Sequence, residues 1–298
     1  MSEVLKSLSD DLAAAVATAG HSIVRIEGRR RSPASGIVWS ADGMIVTAHH
    51  VVERDDNLKV GLPDGSTVSA TLVGRDPSTD IALLRVQASG LTPATWINGA
   101  DAKVGHLVMA VGRPGTQAQA TLGIISAIDE GWRTPMGGMI DAYVQTDVVM
   151  YPGFSGGPLV GANGAFVGMN SSALMRGVSV TIPAATLTRV AGTLMAHGRV
   201  KRGYLGVSAQ PVRLPAALAG SLNQETGLLL ASVEAGSPAE QAGLMLGDTL
   251  ISLAGHPVHQ MDDLMAVLSG DRVGTSVPAR IVRGGQVHEI AVTIGERS

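Results

Sequence analysis

Short β-prone runs separated by turn residues recur along the first two-thirds of the chain, and this spacing restricts the fold more than any other feature. Asp42-Gly43, Asp64-Gly65 and Asn163-Gly164 are hairpin dipeptides, and each lies between β-prone flanks. Glycine contributes 38 of the 298 residues, about twice its average share. Because turns about ten residues apart favour short antiparallel strands, the sequence predicts a mostly β barrel or sandwich.

Patterns typical of helices occur at the start of the chain and at the end of the predicted first domain. Leu5, Leu8, Leu12 and Val16 stand at helical spacing, which predicts a surface amphipathic helix. Residues 184–197 predict a second helix, and Gly198 ends it. A short basic stretch then leads into a second unit. The predicted organisation is an N-terminal amphipathic helix at 1–20, a first domain at 21–199 and a second domain at 200–298.

The second unit mixes strand-like runs with two short helical segments, which is typical of an α+β domain. One helix is predicted to begin after Ser237, an N-cap residue followed by Pro238 at the first helical position. The other is amphipathic and is predicted to run from Met261 to Gly270. No internal repeat relates this unit to the first, so two domains of different architecture are predicted.

Composition excludes several classes of function. Twenty-two basic and 25 acidic residues give a net charge of −3, and the chain contains eight aromatic residues, so nothing favours a nucleic-acid partner. The absence of cysteine excludes disulfides, thiolate metal sites and cysteine nucleophiles. His256, His259 and His288 show no metal-ligand spacing, and there is no G-x-G-x-x-G cofactor loop. No metal or cofactor is therefore predicted.

Neither a membrane span nor an export signal is predicted. The longest uncharged stretch, residues 148–175, contains Pro152, Pro158 and six glycines, which rules out one continuous apolar helix. Lys6, Asp10 and Asp11 interrupt the apolar run that a secretory leader needs. Either the protein is not exported by this route or its leader is missing from this chain, and the sequence leaves both open.

Three separate segments carry the residue types of serine hydrolysis, which needs a hydroxyl, an imidazole and a carboxylate. Residues 152–159 place Ser155 among three glycines, residues 46–52 end an apolar strand in a histidine pair, and residues 76–84 place an acid before a buried strand. Glycines allow a tight turn whose N–H groups converge on a developing oxyanion. The order is His, Asp, Ser, as in chymotrypsin-type enzymes.

The segments TAHHVV, DIALL and GFSGGPL, with GIISAI and YVQTD between them, resemble the HtrA (DegP/DegQ-type) serine proteases over nearly the whole chain. The resemblance implies a mostly β fold: a chymotrypsin-like double β-barrel protease domain followed by an α+β PDZ domain. It further implies an ATP-independent endopeptidase that degrades unfolded or damaged proteins and assembles as a homotrimer. The compartment it suggests is the bacterial periplasm or cell envelope; otherwise the cytoplasm is expected.

By this resemblance His50 is the general base, Asp80 orients its imidazole and Ser155 is the nucleophile. Gly153, Phe154 and Ser155 correspond to the oxyanion hole. The alternative histidine, His49, is expected to pack or to form a local hydrogen bond. The neighbouring acids are given other roles, a turn residue for Asp76 and a structural acid for Asp147.

Two residues beside the nucleophile depart from the family pattern. Phe154 stands where the family usually has Asn, and so does Tyr151. A bulky aromatic at this point can shape the substrate pocket or stabilise an inactive turn. The alternative function is therefore a catalytically weak or silent PDZ scaffold or chaperone that retains the protease fold. A hydrolase or reductase for small molecules would leave the PDZ-like unit unexplained.

The resemblance also assigns the substrate pocket to residues that carry no acidic side chain: Val149, Met150, Ser171, Ser172, Ala173 and Leu174. An apolar pocket of modest size predicts cleavage after Val, Ile, Leu, Ala or Met. Such a pocket separates neighbouring aliphatic side chains by only about 1–3 kcal/mol per methylene. For Met150 and Leu174, ordinary core packing is the alternative.

The second unit resembles a bacterial, circularly permuted PDZ domain. Its carboxylate-binding loop corresponds to Tyr204, Leu205, Gly206 and Val207, and GSPAEQAGLMLGDTLISLAG is the most characteristic stretch. Successive N–H groups in that loop can form a nest for a terminal carboxylate, and the following strand can pair with a peptide. The expected partners are therefore unfolded polypeptides and peptide C-termini. A passive spacer between domains is the alternative.

Overall fold

The computed structural model describes residues 3–30, 32–97, 101–175, 177–268 and 272–296. The chain forms two units, Met1–Val200 and Lys201–Ser298. Within the described ranges, no helix is both long enough and apolar enough to cross a membrane.

The first unit is built mainly from short strands. In chain order its elements are α1 (Glu3–Gly20), β1 (Ile23–Glu27), β2 (Ala34–Val38), β3 (Met44–Ala48), a single 3₁₀ turn (His49–Val51), β4 (Leu58–Gly61), β5 (Thr67–Asp76), β6 (Ile81–Val86), β7 (Leu107–Gly112), β8 (Gln119–Asp129), β9 (Trp132–Arg133), β10 (Met139–Ile140), β11 (Tyr143–Thr146), β12 (Pro158–Gly161), β13 (Phe166–Ser171), β14 (Ser179–Pro183) and α2 (Ala184–His197).

These strands close into two six-stranded antiparallel barrels. The first barrel has the order β1-β2-β3-β6-β5-β4 and the second has the order β11-β14-β13-β12-β7-β8. The three predicted hairpin dipeptides connect neighbouring strands, and Gly43, Gly65 and Gly164 adopt φ values of +97°, +91° and +79°. Glycine takes such values without the steric penalty of a side chain. The predicted mostly β, double-barrel fold is confirmed.

Both helices predicted for the first unit are present. The N-terminal pattern forms α1, and residues 184–197 form α2, which Gly198 ends in a left-handed conformation with its N–H on the Leu194 carbonyl. Leu187, Val190 and Leu194 of α2 are buried in the same apolar core as the first barrel. This apolar face explains why the segment is helical where the chain around it forms strands.

A buried guanidinium connects α1 to the second barrel. Arg113 follows β7 and donates hydrogen bonds to the carbonyls of Gly20, Ile23 and Thr116 at 2.6–2.8 Å. Burial lowers the pKa of Arg113 below its ordinary value. Since Gly20 is the last residue of α1, one side chain satisfies a helix-terminal carbonyl and fixes the loop after β7 at the same time.

The second unit is an α+β domain. In chain order its elements are β15 (Gly203–Tyr204), β16 (Val207–Arg213), α3 (Ala216–Leu222), β17 (Thr226–Val233), α4 (Pro238–Gln241), β18 (Thr249–Leu253), β19 (His256–Pro257), α5 (Met261–Leu268), β20 (Ser276–Arg283), β21 (Gln286–Thr293) and β22 (Gly295–Glu296).

Its main sheet has the order β16-β17-β18-β20-β21, with β19 paired to β18 and β15 paired to β22. Ser237 caps α4 by accepting the Glu240 N–H at 3.2 Å, and Pro238 occupies the first helical position, as predicted. The predicted amphipathic helix is α5. Its predicted end at Gly270 lies outside the described residues.

A buried ion pair braces the second unit. Arg283 on β20 donates to both carboxylate oxygens of Asp248 at 2.7 Å, and the Asp248 side chain is only 2% exposed. Burial opposes ionisation of Asp248, but hydrogen bonds from Arg283 and the Met245 N–H outweigh it and hold the pKa of that carboxyl below its ordinary value. A bidentate guanidinium–carboxylate pair of this kind fixes the turn before β18 to β20.

Candidate active site

The first barrel brings an imidazole and a carboxylate together. His50 lies on the 3₁₀ turn that follows β3, and Asp80 directly precedes β6. These strands are paired, with Ala48 opposite Ile81, so the residues just beyond that pair become neighbours. Pairing of two strands, rather than closeness in sequence, therefore joins groups that are 30 residues apart.

Two short hydrogen bonds join His50 to Asp80. His50 Nδ1 lies 2.8 Å from Asp80 Oδ2, and the His50 backbone N–H donates to Oδ1 at 2.9 Å. The Asp80 side chain is 4% exposed and that of His50 is 26% exposed. Because an ionised carboxylate only accepts hydrogen bonds, Nδ1 carries the proton and Nε2 keeps its lone pair. This tautomer is the one that a general base requires.

A serine from the second barrel also forms a hydrogen bond with Asp80. Ser171, the last residue of β13, is fully buried and donates its hydroxyl hydrogen to Asp80 Oδ2 at 2.5 Å. The family resemblance assigns Ser171 to the substrate pocket, which stays a prediction, and in the structure its hydroxyl contacts the acid. No local pattern predicts this contact, since the two residues lie 91 positions apart on different barrels.

Asp76 and His49, the neighbouring acid and histidine not assigned to the triad, make different contacts. Asp76 accepts hydrogen bonds from the Ser78 N–H, the Ser78 hydroxyl and the Thr79 hydroxyl, which makes it a turn residue ahead of Asp80. Burial, reinforced by the positive charge of Arg75, lowers the pKa of His49 below its ordinary value. Its buried Nδ1 has no hydrogen-bond partner among the described residues.

The candidate nucleophile lies in the loop between β11 and β12. Ser155 is 8% exposed, and its Oγ lies 3.0 Å from the Ser172 Oγ. In the part of the chain that the structure describes, Ser155 Oγ makes no hydrogen bond to His50. The hydrogen bond through which Ser155 would pass a proton to His50 is therefore not formed in this structure. Such catalytic contacts commonly tighten only when substrate binds.

The backbone of the same loop offers donors for an oxyanion. Gly153 and Gly156 adopt φ values of +93° and +84°, which produce the tight turn around Ser155. The N–H groups of Gly153 and Ser155 have no hydrogen-bond partner within the described residues. The Phe154 N–H is different, because it donates to the Tyr151 carbonyl at 3.0 Å and so belongs to the turn.

The Phe154 side chain lies in the apolar core of the second barrel. It is fully buried with Val108, Ile125 and Leu159, and its ring meets that of Tyr151 edge-to-face at 5.7 Å. The side chain therefore packs into the barrel core next to the loop that carries Ser155. Burial of the Phe154 ring thus anchors the loop to the apolar core.

The remaining pocket residues divide between surface and core. Val149, Ser172 and Ala173 are exposed, Met150 is half-buried against the core of the second barrel, and Leu174 is buried. Asp147 is held by the Ile124 N–H, which donates to its carboxylate at 2.6 Å. This contact ties Asp147 to β8, in keeping with the structural role predicted for it.

In the second unit, Leu205 and Gly206 connect β15, which ends at Tyr204, to β16, which begins at Val207. Gly206 has φ +79°, and a side chain there would collide with Ser237. The carbonyls of Leu205 and Gly206 accept the Ala239 and Glu234 N–H groups at 2.9 and 2.8 Å. The Leu205 and Gly206 N–H groups have no partner among the described residues, so they remain available to an anion.

Two family models match this chain. A trypsin-like peptidase domain matches residues 34–169 and a PDZ domain matches residues 203–294. Curated relatives include a probable periplasmic DegP-like serine endoprotease of Ectopseudomonas mendocina (strain ymp), 38% identical over 277 residues, and one of Chlamydia trachomatis serovar D, 37% identical over 266 residues. The alignments cover 90% and 87% of this chain but only 58% and 53% of those relatives, so the chain spans little more than half their length.

Solved structures match over a greater share of their length. The serine endoprotease from Yersinia pestis is 30% identical, with a TM-score of 0.79 over 96% of this chain and 98% of that one. The HtrA-type protease AlgW with a decapeptide is 27% identical, with a TM-score of 0.78 over 96% and 99% of the two chains. The predicted succession of a trypsin-like domain and a PDZ domain is thus confirmed.

Proposed function

Because the chain belongs to the HtrA-type, DegP-like serine proteases, we propose that it is an endopeptidase that hydrolyses unfolded or damaged proteins through an acyl-enzyme on Ser155. The observation that carries this proposal is the Asp80–His50 pair at 2.8 Å, whose imidazole keeps Nε2 free as a base. The candidate nucleophile and two unpartnered backbone donors lie in a single loop. Fold alone supports no such claim, whereas this set of groups does.

The chemistry follows from these groups. His50 Nε2 takes the proton of the Ser155 hydroxyl as Oγ attacks the peptide carbonyl, and the N–H groups of Gly153 and Ser155 donate to the resulting oxyanion. Collapse of this intermediate breaks the C–N bond, and His50 delivers its proton to the leaving amine. A water molecule then attacks the acyl-enzyme with His50 again as base, which releases the carboxylate product and restores Ser155.

One observation favours the alternative, a catalytically weak or silent scaffold. The Ser155 hydroxyl bonds to Ser172 rather than to His50. A neutral hydrogen bond of this kind contributes only about 0.5–1.5 kcal/mol. Substrate binding can outweigh a difference of that size, so the endopeptidase remains the better supported function.

We expect cleavage after Val, Ile, Leu, Ala or Met. The exposed Val149 and Ala173 and the half-buried Met150 supply an apolar lining without a carboxylate to pair with Lys or Arg. Mass-spectrometric mapping of cuts in unfolded casein measures this preference, and Ser155→Ala protein provides the background from other proteases. Cuts mainly after Lys, Arg, Asp or Glu would contradict the apolar pocket.

Substrate conformation supplies further selectivity, so the folded form of a test protein should resist cleavage while its denatured form is cut.

The PDZ unit is proposed to bind peptide C-termini at Tyr204, Leu205, Gly206 and Val207. Support comes from the unpartnered N–H groups of Leu205 and Gly206 and from the position of β16 at the end of its sheet, where a peptide strand can pair.

Calorimetric titration of full-length Ser155→Ala protein with a heptapeptide ending in an aliphatic residue tests this binding. Hydrogen bonds to charged groups contribute about 1.5–3 kcal/mol, so amidation of the peptide C-terminus should weaken binding about tenfold or more. The amidated and free peptides differ only in the terminal group. Equal affinities for the two would contradict the carboxylate nest.

Compartment and assembly are proposals as well. Curated relatives are named periplasmic, which supports the bacterial periplasm or cell envelope for this protein. The homotrimer implied by the family resemblance stays a prediction.

A further inference from the structure

Ser35 is the second residue of β2 and is fully buried, yet its contacts reach the loop that carries the candidate nucleophile. Its hydroxyl donates to the Gly153 carbonyl at 2.6 Å and accepts the Arg113 N–H at 2.8 Å. Its backbone N–H donates to the Ser155 carbonyl at 3.2 Å. A single residue of the first barrel thus holds two carbonyls of a loop that is 118 positions away in the sequence.

We propose that Ser35 is a positioning residue that keeps the oxyanion hole open, an inference that rests on the proposed function. The carbonyls of residues 153–155 all accept hydrogen bonds. Ser35 donates to those of Gly153 and Ser155, and the Gly157 N–H donates to that of Phe154 at 2.9 Å. The N–H groups of Gly153 and Ser155 are the ones left without partners. Residues 153–155 therefore offer two free N–H groups, and no free carbonyl, to a developing oxyanion.

The Gly153 carbonyl is the one that most needs such a restraint. Glycine rotates about φ and ψ more freely than any other residue, so residue 153 can reorient the peptide units on either side of it. A carbonyl turned into the oxyanion site would repel the negative charge that forms there, whereas an N–H group stabilises it. The Ser35 hydroxyl restrains this carbonyl with a 2.6 Å hydrogen bond from the first barrel.

The packing around residue 35 leaves room only for a small side chain. A Cβ on Gly112 would lie 3.0 Å from Ser35 Oγ, and one on Gly157 would lie 3.1 Å from Ser35 Cβ. A hydroxyl is the smallest group that both donates and accepts, as the Gly153 carbonyl and the Arg113 N–H require. Thr47 fixes the strand itself, because its hydroxyl donates to the Ser35 carbonyl at 2.7 Å.

The test compares Ser35→Ala with wild type in the full chain, using a short peptide substrate with an aliphatic P1 residue. We expect kcat to fall about 10- to 100-fold while KM changes less than about twofold, because the lost interaction acts on the transition state. The inhibition constant of a peptide boronic acid, which forms a tetrahedral adduct, should rise by the factor by which kcat/KM falls. Ser35→Cys retains a weak donor and should lose less activity.

Thr186→Val is the matched control. The Thr186 hydroxyl is also buried, donates to Asp141 Oδ2 at 2.7 Å and accepts the Asp141 N–H at 2.8 Å. Its removal should lower the melting temperature about as much as Ser35→Ala does, without changing the boronate inhibition constant.

Three outcomes separate the possibilities. A Ser35→Ala enzyme with wild-type kcat and boronate affinity overturns the inference. Equal kinetic losses in Ser35→Ala and Thr186→Val also overturn it, since they would reflect general destabilisation. A wild-type protein that neither cleaves the peptide nor binds the boronate overturns the proposed function instead.

Discussion

Ser155→Ala protein is expected to lose hydrolysis of unfolded casein by a factor of about 10⁴–10⁶, while its fold is retained. The substitution removes the oxygen on which the acyl-enzyme is proposed to form. Among the described residues that atom makes one hydrogen bond, to Ser172, so its removal leaves the backbone contacts of the loop in place. Release of fluorescent peptides from labelled casein measures the loss. A thermal melt close to that of wild type would show that the fold is intact.

A fluorophosphonate probe separates the enzyme from the silent scaffold. Wild-type protein should be labelled at Ser155 and the alanine variant should not. Ser22→Ala, which alters a buried serine ahead of β1, is the control for loss of a serine elsewhere in the same domain. Hydrolysis that persists in Ser155→Ala would assign the activity to another group. A wild-type protein that neither takes the probe nor cuts casein would favour the scaffold.

Asp80→Asn is expected to lower kcat by a factor of about 10⁴ with little change in KM. The two oxygens of Asp80 accept three hydrogen bonds, from the His50 N–H, His50 Nδ1 and the Ser171 hydroxyl. An amide has only one oxygen, so its NH₂ group must face at least one of these donors. Where it faces Nδ1, the imidazole proton moves to Nε2 and the base is lost. Steady-state kinetics on a peptide substrate measures both constants.

Asp76→Asn is the matched control for that variant. Asp76 is equally buried, lies four residues earlier and accepts hydrogen bonds from Ser78 and Thr79 of its own turn. We expect a lower melting temperature and a kcat within about tenfold of wild type, since stability is the main property at stake. A larger kinetic loss in Asp76→Asn than in Asp80→Asn would reassign the catalytic acid.

Local signals in the sequence predicted much of the fold correctly. The three X-Gly dipeptides, the Gly198 helix end and the Ser237 cap all formed as expected, because turn and cap geometry depends on neighbouring residues. The candidate triad is assigned from the resemblance of three short motifs to those of a known family. Each motif has a recognisable local form, and the order His, Asp, Ser restricts the family.

Long-range contacts around the site were beyond the reach of such signals. No motif in the sequence marks Ser35 as a contact of Gly153, and none places the Ser171 hydroxyl beside Asp80. The sequence leaves the effect of Phe154 open between a pocket wall and an inactive turn, and the structure adds that its side chain is fully buried in the core of the second barrel.

The sequence by itself determined where the strands turn, where the helices end and which three side chains carry the proposed chemistry, because each of these depends on residues close together in the chain. Only the tertiary structure decided which groups restrain them. Strand pairing within the first barrel joins His50 to Asp80, and contacts with the second barrel join Ser171 to Asp80 and Ser35 to Gly153. Such hydrogen bonds depend on how two closed barrels pack, and no local pattern encodes that packing.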